Sequence, residues 1–156
     1  MAAKLEISQI NWLQLQRTLK RKGQGCRESG AFLLAARDST RVKRFIAYDD
    51  LDPHCLDTGI IRFDGAGYVA LWDLCGKTGL RVIADVHTHP AVWTDQSSSD
   101  LSNPMIPRAG HIALIIPKYA SHLLLGFKGV GIHEYEGEGK WQRRSKTPGY
   151  FKITLL

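Results

Sequence analysis

Residues 86–100 constrain the fold more than any other part of the chain. They complete a strand-like run, 81–89, which Pro90 ends because proline lacks the N–H that a sheet ladder needs. Side chains two residues apart in a strand point to the same face, so His87 and His89 face one side. The Ser-Ser-Ser-Asp run at 97–100 predicts a helix start, with Ser97 and Asp100 on one side of its first turn. We therefore expect a strand, a loop and a helix start that bring these polar side chains together.

This arrangement predicts a metal site. Two imidazoles and one carboxylate, from His87, His89 and Asp100, are suitable ligands for one Zn²⁺ ion per chain. Three protein ligands leave the fourth tetrahedral position open for water, which is typical of catalytic rather than structural zinc sites. Zinc lowers the pKa of such a water to about 7, so that hydroxide forms at neutral pH.

Hydrolysis also needs a base and a group that stabilises the oxyanion. Glu28 is the candidate general acid/base, because it lies just before a buried strand predicted at 31–36 and can carry a proton between water and a leaving amine. Ser97 is the candidate hydrogen-bond donor to the oxyanion. Glu28 and Ser97 are therefore the predicted catalytic residues.

These positions together resemble the JAMM (MPN-plus) metalloprotease motif: a distant Glu28, then His87-Thr88-His89-Pro90, six residues, and Ser97-x-x-Asp100. The spacing matches without departure. The resemblance implies a mixed α/β fold similar to that of cytidine deaminases, with His87, His89 and Asp100 as zinc ligands. It also implies cleavage of a peptide or isopeptide bond after the C-terminal glycine of ubiquitin or a ubiquitin-like protein.

The chain is compact and is more similar to the prokaryotic branch of that family. Within this resemblance, residues 107–117 favour the peptidases of the bacterial ubiquitin-like operons that are linked to antiviral defence, which implies E1-like and E2-like proteins as further partners. Relatives that trim sulfur-carrier proteins cut the same type of bond, and the domain alone does not distinguish the two uses. A non-catalytic MPN scaffold is the third interpretation, which the complete ligand set disfavours. The zinc signature of deaminases is missing.

The rest of the chain predicts a single domain, 1–156, without repeats or linkers. Ser8 is expected to cap a helix that ends near Gly23 or Gly25, and a second helix is expected at 67–75. Besides 31–36 and 81–89, strands are expected at 4–7, 42–48, 60–63, 111–116, 131–135, 140–144 and 151–155, the last closing the sheet edge. The fold class is therefore α/β, a mixed sheet flanked by helices.

Charge and composition limit the classes of partner that we expect the chain to bind. Lys and Arg number 21 against 15 Asp and Glu, which gives a net charge of +6. Two basic clusters lack interleaved stacking aromatics, so we expect solvated faces rather than a nucleic-acid site, with a docking patch for an acidic protein as the alternative. The clusters are Arg17, Lys20, Arg21, Lys22 and Arg27, and Lys140, Arg143, Arg144 and Lys146.

Membrane and secretory features are not expected. No apolar run approaches the ~20 residues that span a bilayer, and no secretory signal is recognisable. The three cysteines form no CxxC pair, which favours free thiols and a cytoplasmic location.

Several other polar or aromatic residues have two interpretations. Asp85 is expected to pair with an Arg or Lys, or else to orient a ligand histidine from behind. Trp93 packs over the loop or contacts a bound tail. Cys26, two residues before Glu28, is expected to be a small buried or idle thiol rather than a group that approaches the site. The remaining histidines, which lack ligand spacing, are expected to be structural or exposed: His54, His111, His122 and His133.

Overall fold

The computed structural model describes residues 2–145 and 149–156, and its main feature is a six-stranded mixed β-sheet flanked by helices. The strands are β1 (Leu5–Ser8), β2 (Gly30–Ala36), β3 (Val42–Ala47), β4 (Leu80–Thr88), β5 (Ile112–Ile116), β6 (Gly131–Gly137), β7 (Lys140–Arg143) and β8 (Phe151–Thr154). The helices are α1 (Gln9–Gly23), α2 (Tyr48–Leu51), α3 (Gly65–Thr78) and α4 (Ser98–Ser102). The expected fold class is confirmed.

The first helix begins and ends as its sequence predicts. The Ser8 side chain accepts a hydrogen bond from the backbone N–H of Asn11 at 3.2 Å, which satisfies one of the free N–H groups of the first turn. Gln24 follows in the left-handed conformation, and its N–H donates to backbone carbonyls of the last turn. The basic residues 20–22 lie in that turn, where cations suit the helix dipole.

The sheet has the order β3-β2-β4-β5-β6-β7, which places β4 near its middle. Strand β2 runs antiparallel to β4, and β5 runs parallel to it. In this register Gly30 pairs with His87, and the Thr88 N–H donates to the Ser29 carbonyl at 2.9 Å. The chain just before β2, which contains Glu28, therefore lies beside the end of β4.

Two apolar clusters form the core, one on each face of the sheet. Alternate residues of β2 point to opposite faces, because strand side chains alternate. Leu33 packs in the cluster that contains Trp12 and Leu19 of α1, whereas Phe32 packs in the cluster that contains Tyr48 and Leu71 from α2 and α3. The sheet is thus covered by α1 on one face and by α2 and α3 on the other.

One predicted strand is absent, and another is present but pairs elsewhere than expected. Residues 60–63 form no strand, because Ile61 and Phe63 pack, partly buried, against the α2–α3 cluster without a partner strand. Strand β8 does not close the main sheet but pairs in parallel with β1, from Leu5 opposite Phe151 onward. The remaining expected strands are present with shifts of one or two residues at their ends.

The basic clusters lie at the surface, with part of their charge paired. Lys22 contacts Asp49 and Asp50 at 3.1 and 2.7 Å, and Arg143 pairs with Asp95. Lys146 lies outside the described residues. Within residues 2–145 and 149–156, none of the helices has both the length and the apolar character that a bilayer crossing requires.

Candidate metal centre

The three predicted metal ligands lie together at the end of β4. His87 is in β4, His89 directly follows it, and Asp100 is in the first turn of α4. The Nε2 atoms of the two histidines are 3.2 Å apart. The Asp100 carboxylate has one oxygen 3.4 Å from Nε2 of His87 and the other 3.2 Å from Nε2 of His89. The fold therefore brings one potential ligand atom from each residue to a common point.

The spacing of these atoms fits a tetrahedral metal ion. Zinc–ligand bonds of about 2.0–2.1 Å at tetrahedral angles place neighbouring ligand atoms about 3.3–3.4 Å apart. The observed separations of 3.2–3.4 Å agree with this value. Two imidazole nitrogens and one carboxylate oxygen are also a ligand set that zinc accepts. His87, His89 and Asp100 could therefore hold a metal ion with little movement.

A backbone carbonyl fixes the orientation of the His89 ring. Nδ1 of His89 lies 3.0 Å from the carbonyl oxygen of Trp93. A carbonyl can only accept, so Nδ1 carries a proton and donates it, and Nε2, once it has lost its own proton, offers its lone pair to a metal. The Trp93 ring stacks on the same imidazole at 5.1 Å and 18°, with 48% of the residue exposed. Trp93 therefore packs against a ligand ring, and its contact with a bound tail stays a prediction.

The start of α4 positions the third ligand. Ser97 is the N-cap, and its side chain accepts a hydrogen bond from the Asp100 N–H at 3.1 Å. In return the Ser97 N–H donates to the Asp100 carboxylate at 2.8 Å, which completes a capping box. This reciprocal pair confirms the expected helix start and aims the carboxylate of Asp100 toward the histidines.

Glu28 faces the same cleft. It is half-buried and lines the cleft together with His87, Ser97 and Asp100. Its backbone N–H donates to Gly59, which ties this turn to the wall of the cleft. Burial raises the pKa of Glu28, while the nearby His87 and His89 act in the opposite direction. The fold thus brings all five predicted site residues together.

When no metal is bound, the ligand residues shift one another's pKa values. Burial opposes ionisation of Asp100, but hydrogen bonds from His87 and His89 dominate and hold its pKa well below the ordinary range. Burial likewise lowers the pKa of His87, yet the hydrogen bond and charge of Asp100, with Asp85 and Glu28, raise it overall. The site therefore favours a cation between its carboxylates.

The sequence did not identify a buried polar network that reaches the wall of the cleft. Asp85 is 2% exposed and pairs with His111 Nε2 at 2.6 Å, and it accepts a hydrogen bond from the Tyr48 hydroxyl at 3.1 Å. Neither expected interpretation of Asp85 is right, since its partners are neither a basic side chain nor a ligand histidine. A buried carboxylate needs hydrogen bonds, which are supplied by His111, just before β5, and by Tyr48 of α2. Tyr48, Asp85 and His111 are far apart in the sequence, so no local pattern predicts that they form a network.

The remaining histidines and Cys26 do not belong to the group of three ligands. His111 and His133 are buried, whereas His54 and His122 are exposed, which confirms the structural or exposed roles expected of them. Cys26 is an exposed free thiol. Among the described residues, the only three-residue group that could hold a metal ion is His87, His89 and Asp100.

An unusual backbone turn supports the loop that follows His89. Lys118, Tyr119 and Ala120 have φ values of 55°, 55° and 58°, in the left-handed region that side chains disfavour. In this turn the Tyr119 N–H donates to the His89 carbonyl at 2.9 Å, and the Lys118 N–H donates to the Ala91 carbonyl at 3.0 Å. The turn therefore holds the backbone on both sides of Pro90.

No protein-family profile matches the chain. The solution structure of protein DSY2949 from Desulfitobacterium hafniense is similar over 89% of this chain and 88% of that one, with 17% identity and a TM-score of 0.60. A solution structure of a protein from Salinibacter ruber covers the same shares with 16% identity and a TM-score of 0.59. These two comparisons show a shared fold. The crystal structure of AF2198, a JAB1/MPN domain protein from Archaeoglobus fulgidus, aligns over 86% of this chain and 91% of that one, with 18% identity and a TM-score of 0.48.

Proposed function

We propose that the chain is a zinc-dependent peptidase of the JAMM type, which cleaves the bond after the C-terminal glycine of a ubiquitin-like protein. The observation that carries the proposal is the set of three ligand atoms 3.2–3.4 Å apart, on residues that line the same cavities as Glu28 and Ser97. The JAMM-like spacing of the same five residues supplies the reaction class.

The ligand set fits zinc, and His87, His89 and Asp100 would hold it. When bound, zinc would supply a Lewis acid and a water of lowered pKa. Glu28 would act as the base. Its carboxylate takes a proton from the attacking water and delivers that proton to the nitrogen of the leaving amine as the C–N bond breaks. A pKa raised by burial suits this exchange, because it brings the carboxyl closer to the working pH.

Ser97 can stabilise the oxyanion while it caps α4. Its hydroxyl oxygen accepts from the Asp100 N–H, which leaves the hydroxyl proton free to donate. The side chain lines the cleft next to Glu28, so this proton can reach the carbonyl oxygen of a scissile amide. The cap fixes the hydroxyl before substrate arrives, which is how preorganised donors contribute to catalysis.

The proposed partners follow from the same reaction. A ubiquitin-like protein with a C-terminal glycine would present its tail as an extended segment in the cleft, and E1-like and E2-like proteins would supply its conjugates. We further propose that the protein acts in a bacterial antiviral system. A sulfur-carrier precursor would present the same bond, so it is an outcome that the experiment must distinguish.

The test uses purified protein loaded with zinc and two kinds of fusion. One is a ubiquitin-like protein with a peptide after its terminal Gly-Gly, and the other is a sulfur-carrier protein extended in the same way. Wild type should cut at least one of them after the glycine, lose activity with a chelator and recover it with Zn²⁺. Preference between the fusions assigns the substrate class.

The matched variants are Glu28→Gln and Glu138→Gln. Loss of a general base costs typically 10²–10⁴-fold in rate, so Glu28→Gln should fall by about this factor while it still binds zinc. Glu138 is exposed on the β6–β7 turn, and its variant should cut as wild type does. Undiminished cleavage by Glu28→Gln, or full activity after verified removal of zinc, would disprove the mechanism.

A further inference from the structure

The loop between His89 and α4 joins the metal ligands, and its backbone is held from two directions. The carbonyl of Trp93 accepts from Nδ1 of His89, as described above. The next carbonyl along the chain, that of Thr94, accepts from Nε2 of His133 at 2.9 Å. Two consecutive carbonyls thus each bind an imidazole, one inside the metal centre and one outside it.

His133 reaches the loop from β6 and is well fixed there. Its strand neighbours are Ala113 in β5 and Arg143 in β7, and the residue is only 4% exposed. Because the Thr94 carbonyl can only accept, Nε2 of His133 carries the proton of this bond. The donor is therefore a rigid ring on an internal strand rather than a mobile surface group.

Thr94 is buried against the same strand. Its exposed fraction is 9%, and its carbonyl oxygen lies so close to Gly131 that a Cβ on that glycine would be 2.0 Å away. Its hydroxyl lies 3.5 Å from the Arg143 guanidinium, and Arg143 also pairs with Asp95. The loop thus contacts β6 and β7 through backbone and side chains at one point, midway between His89 and Asp100.

We propose that His133 is a positioning residue of the metal centre: its hydrogen bond to the Thr94 carbonyl fixes the adjacent Trp93 carbonyl and, through it, the His89 ring. This inference rests on the proposed metal site but not on its proteolytic activity. Groups that orient metal-bound histidines through hydrogen bonds typically change metal affinity by 10–100-fold when they are removed. His133 does not contact the ligand His89 itself; it would act on His89 through the peptide unit that joins Trp93 and Thr94.

The experiment compares two amides at position 133. In His133→Gln the side-chain N–H can take the place of Nε2, whereas the shorter His133→Asn cannot reach the Thr94 carbonyl. His122→Asn is the matched control on an exposed histidine. Zinc affinity is measured by competition with a chelator, and the coordination geometry is read from the visible absorption of the Co²⁺-substituted protein. The melting temperature of the metal-free protein reports folding separately.

We expect His133→Asn to bind zinc about 10–100-fold more weakly and to show an altered Co²⁺ spectrum. His133→Gln and His122→Asn should keep nearly the zinc affinity and the Co²⁺ spectrum of the wild type. A folded His133→Asn variant with wild-type zinc affinity, or a Gln variant as weak as the Asn variant, would overturn the proposal. If the Asn variant does not fold, His133→Phe keeps the ring volume without the donor and takes its place. None of these readouts uses a protein substrate, so failure of the Glu28 test would not affect them.

Discussion

Gly131→Ala is the substitution whose effect on the metal loop can be worked out most directly from the structure. The new Cβ would lie 2.0 Å from the Thr94 carbonyl oxygen and 2.9 Å from the Thr94 Cβ. An ordinary contact begins at 3.4 Å, so the Thr94 backbone must move by about 1.4 Å. The backbone of Gly131 is not in the left-handed region, so the effect is steric rather than conformational.

Both stability and metal binding should respond to this movement. Overpacking a buried site costs typically about 1–3 kcal/mol, and for a chain of this length each kcal/mol lowers the melting temperature by roughly 2–4 °C. Metal–ligand distances tolerate changes of only about 0.2 Å, so a loop displaced by several times this value should bind zinc at least tenfold more weakly.

The matched control is Gly126→Ala. Nothing lies within 4 Å of its added Cβ, and its φ is not positive. Thermal unfolding of the metal-free proteins and zinc competition are measured for both variants. If Gly131→Ala melts with wild type and binds zinc equally well, the close packing of Thr94 on β6 does not set the geometry of the metal loop.

Three further predictions test separate parts of the site and core. Ser97→Ala should lose about 1 kcal/mol of unfolding free energy with the cap and about 10²–10³-fold in turnover with the oxyanion donor, while Ser97→Thr restores both; equal turnover of all three proteins would refute the donor role. Zinc affinity should fall as the pH drops from 7.5 to 5.5, because both imidazoles must be neutral to bind and, although burial opposes it, the hydrogen bond and charge of Asp100 raise the pKa of His87; a chelator competition series that is flat over this range would contradict imidazole ligation. Burial raises the pKa of the Cys55 thiol to about 12, so the unfolded chain ionises first and the unfolding free energy should decline from roughly pH 9 upward; denaturant titrations in which Cys55→Ala declines as steeply would exclude this thiol as the cause.

The local pattern of the sequence predicted most elements of the fold. The apolar run of β2 and the alternation of β3 have the periodicity of strands, and both are present. The run at 60–63 has the same character, but apolar side chains can pack against a core without a partner strand, and Ile61 and Phe63 are partly buried in this way. The pairing of β8 with β1 joins the two ends of the described chain, and no local pattern specifies such a distant partner.

The candidate site was predictable for a different reason. His87 and His89 share a strand face, and Ser97 with Asp100 forms a capping box, so four of its five residues follow from local geometry. Glu28 reaches them only because β2 pairs with β4, which the motif resemblance implied and periodicity did not. The contacts that hold the loop, from Tyr119 and His133, come from later strands and turns and have no sequence signature.

The left-handed turn beyond β5 indicates that this loop is ordered before a metal binds. Three consecutive non-glycine residues in the left-handed region cost about 1–2 kcal/mol each, so the turn at 118–120 persists only because its surroundings stabilise it. Ala120 is buried in the core, and the N–H groups of Lys118 and Tyr119 bond to the Ala91 and His89 carbonyls. The strain is therefore offset by contacts to the metal loop itself. Because those contacts need no metal, the chain spends little binding free energy on ordering the loop, and the affinity of the site depends mainly on how well its three ligand atoms are placed.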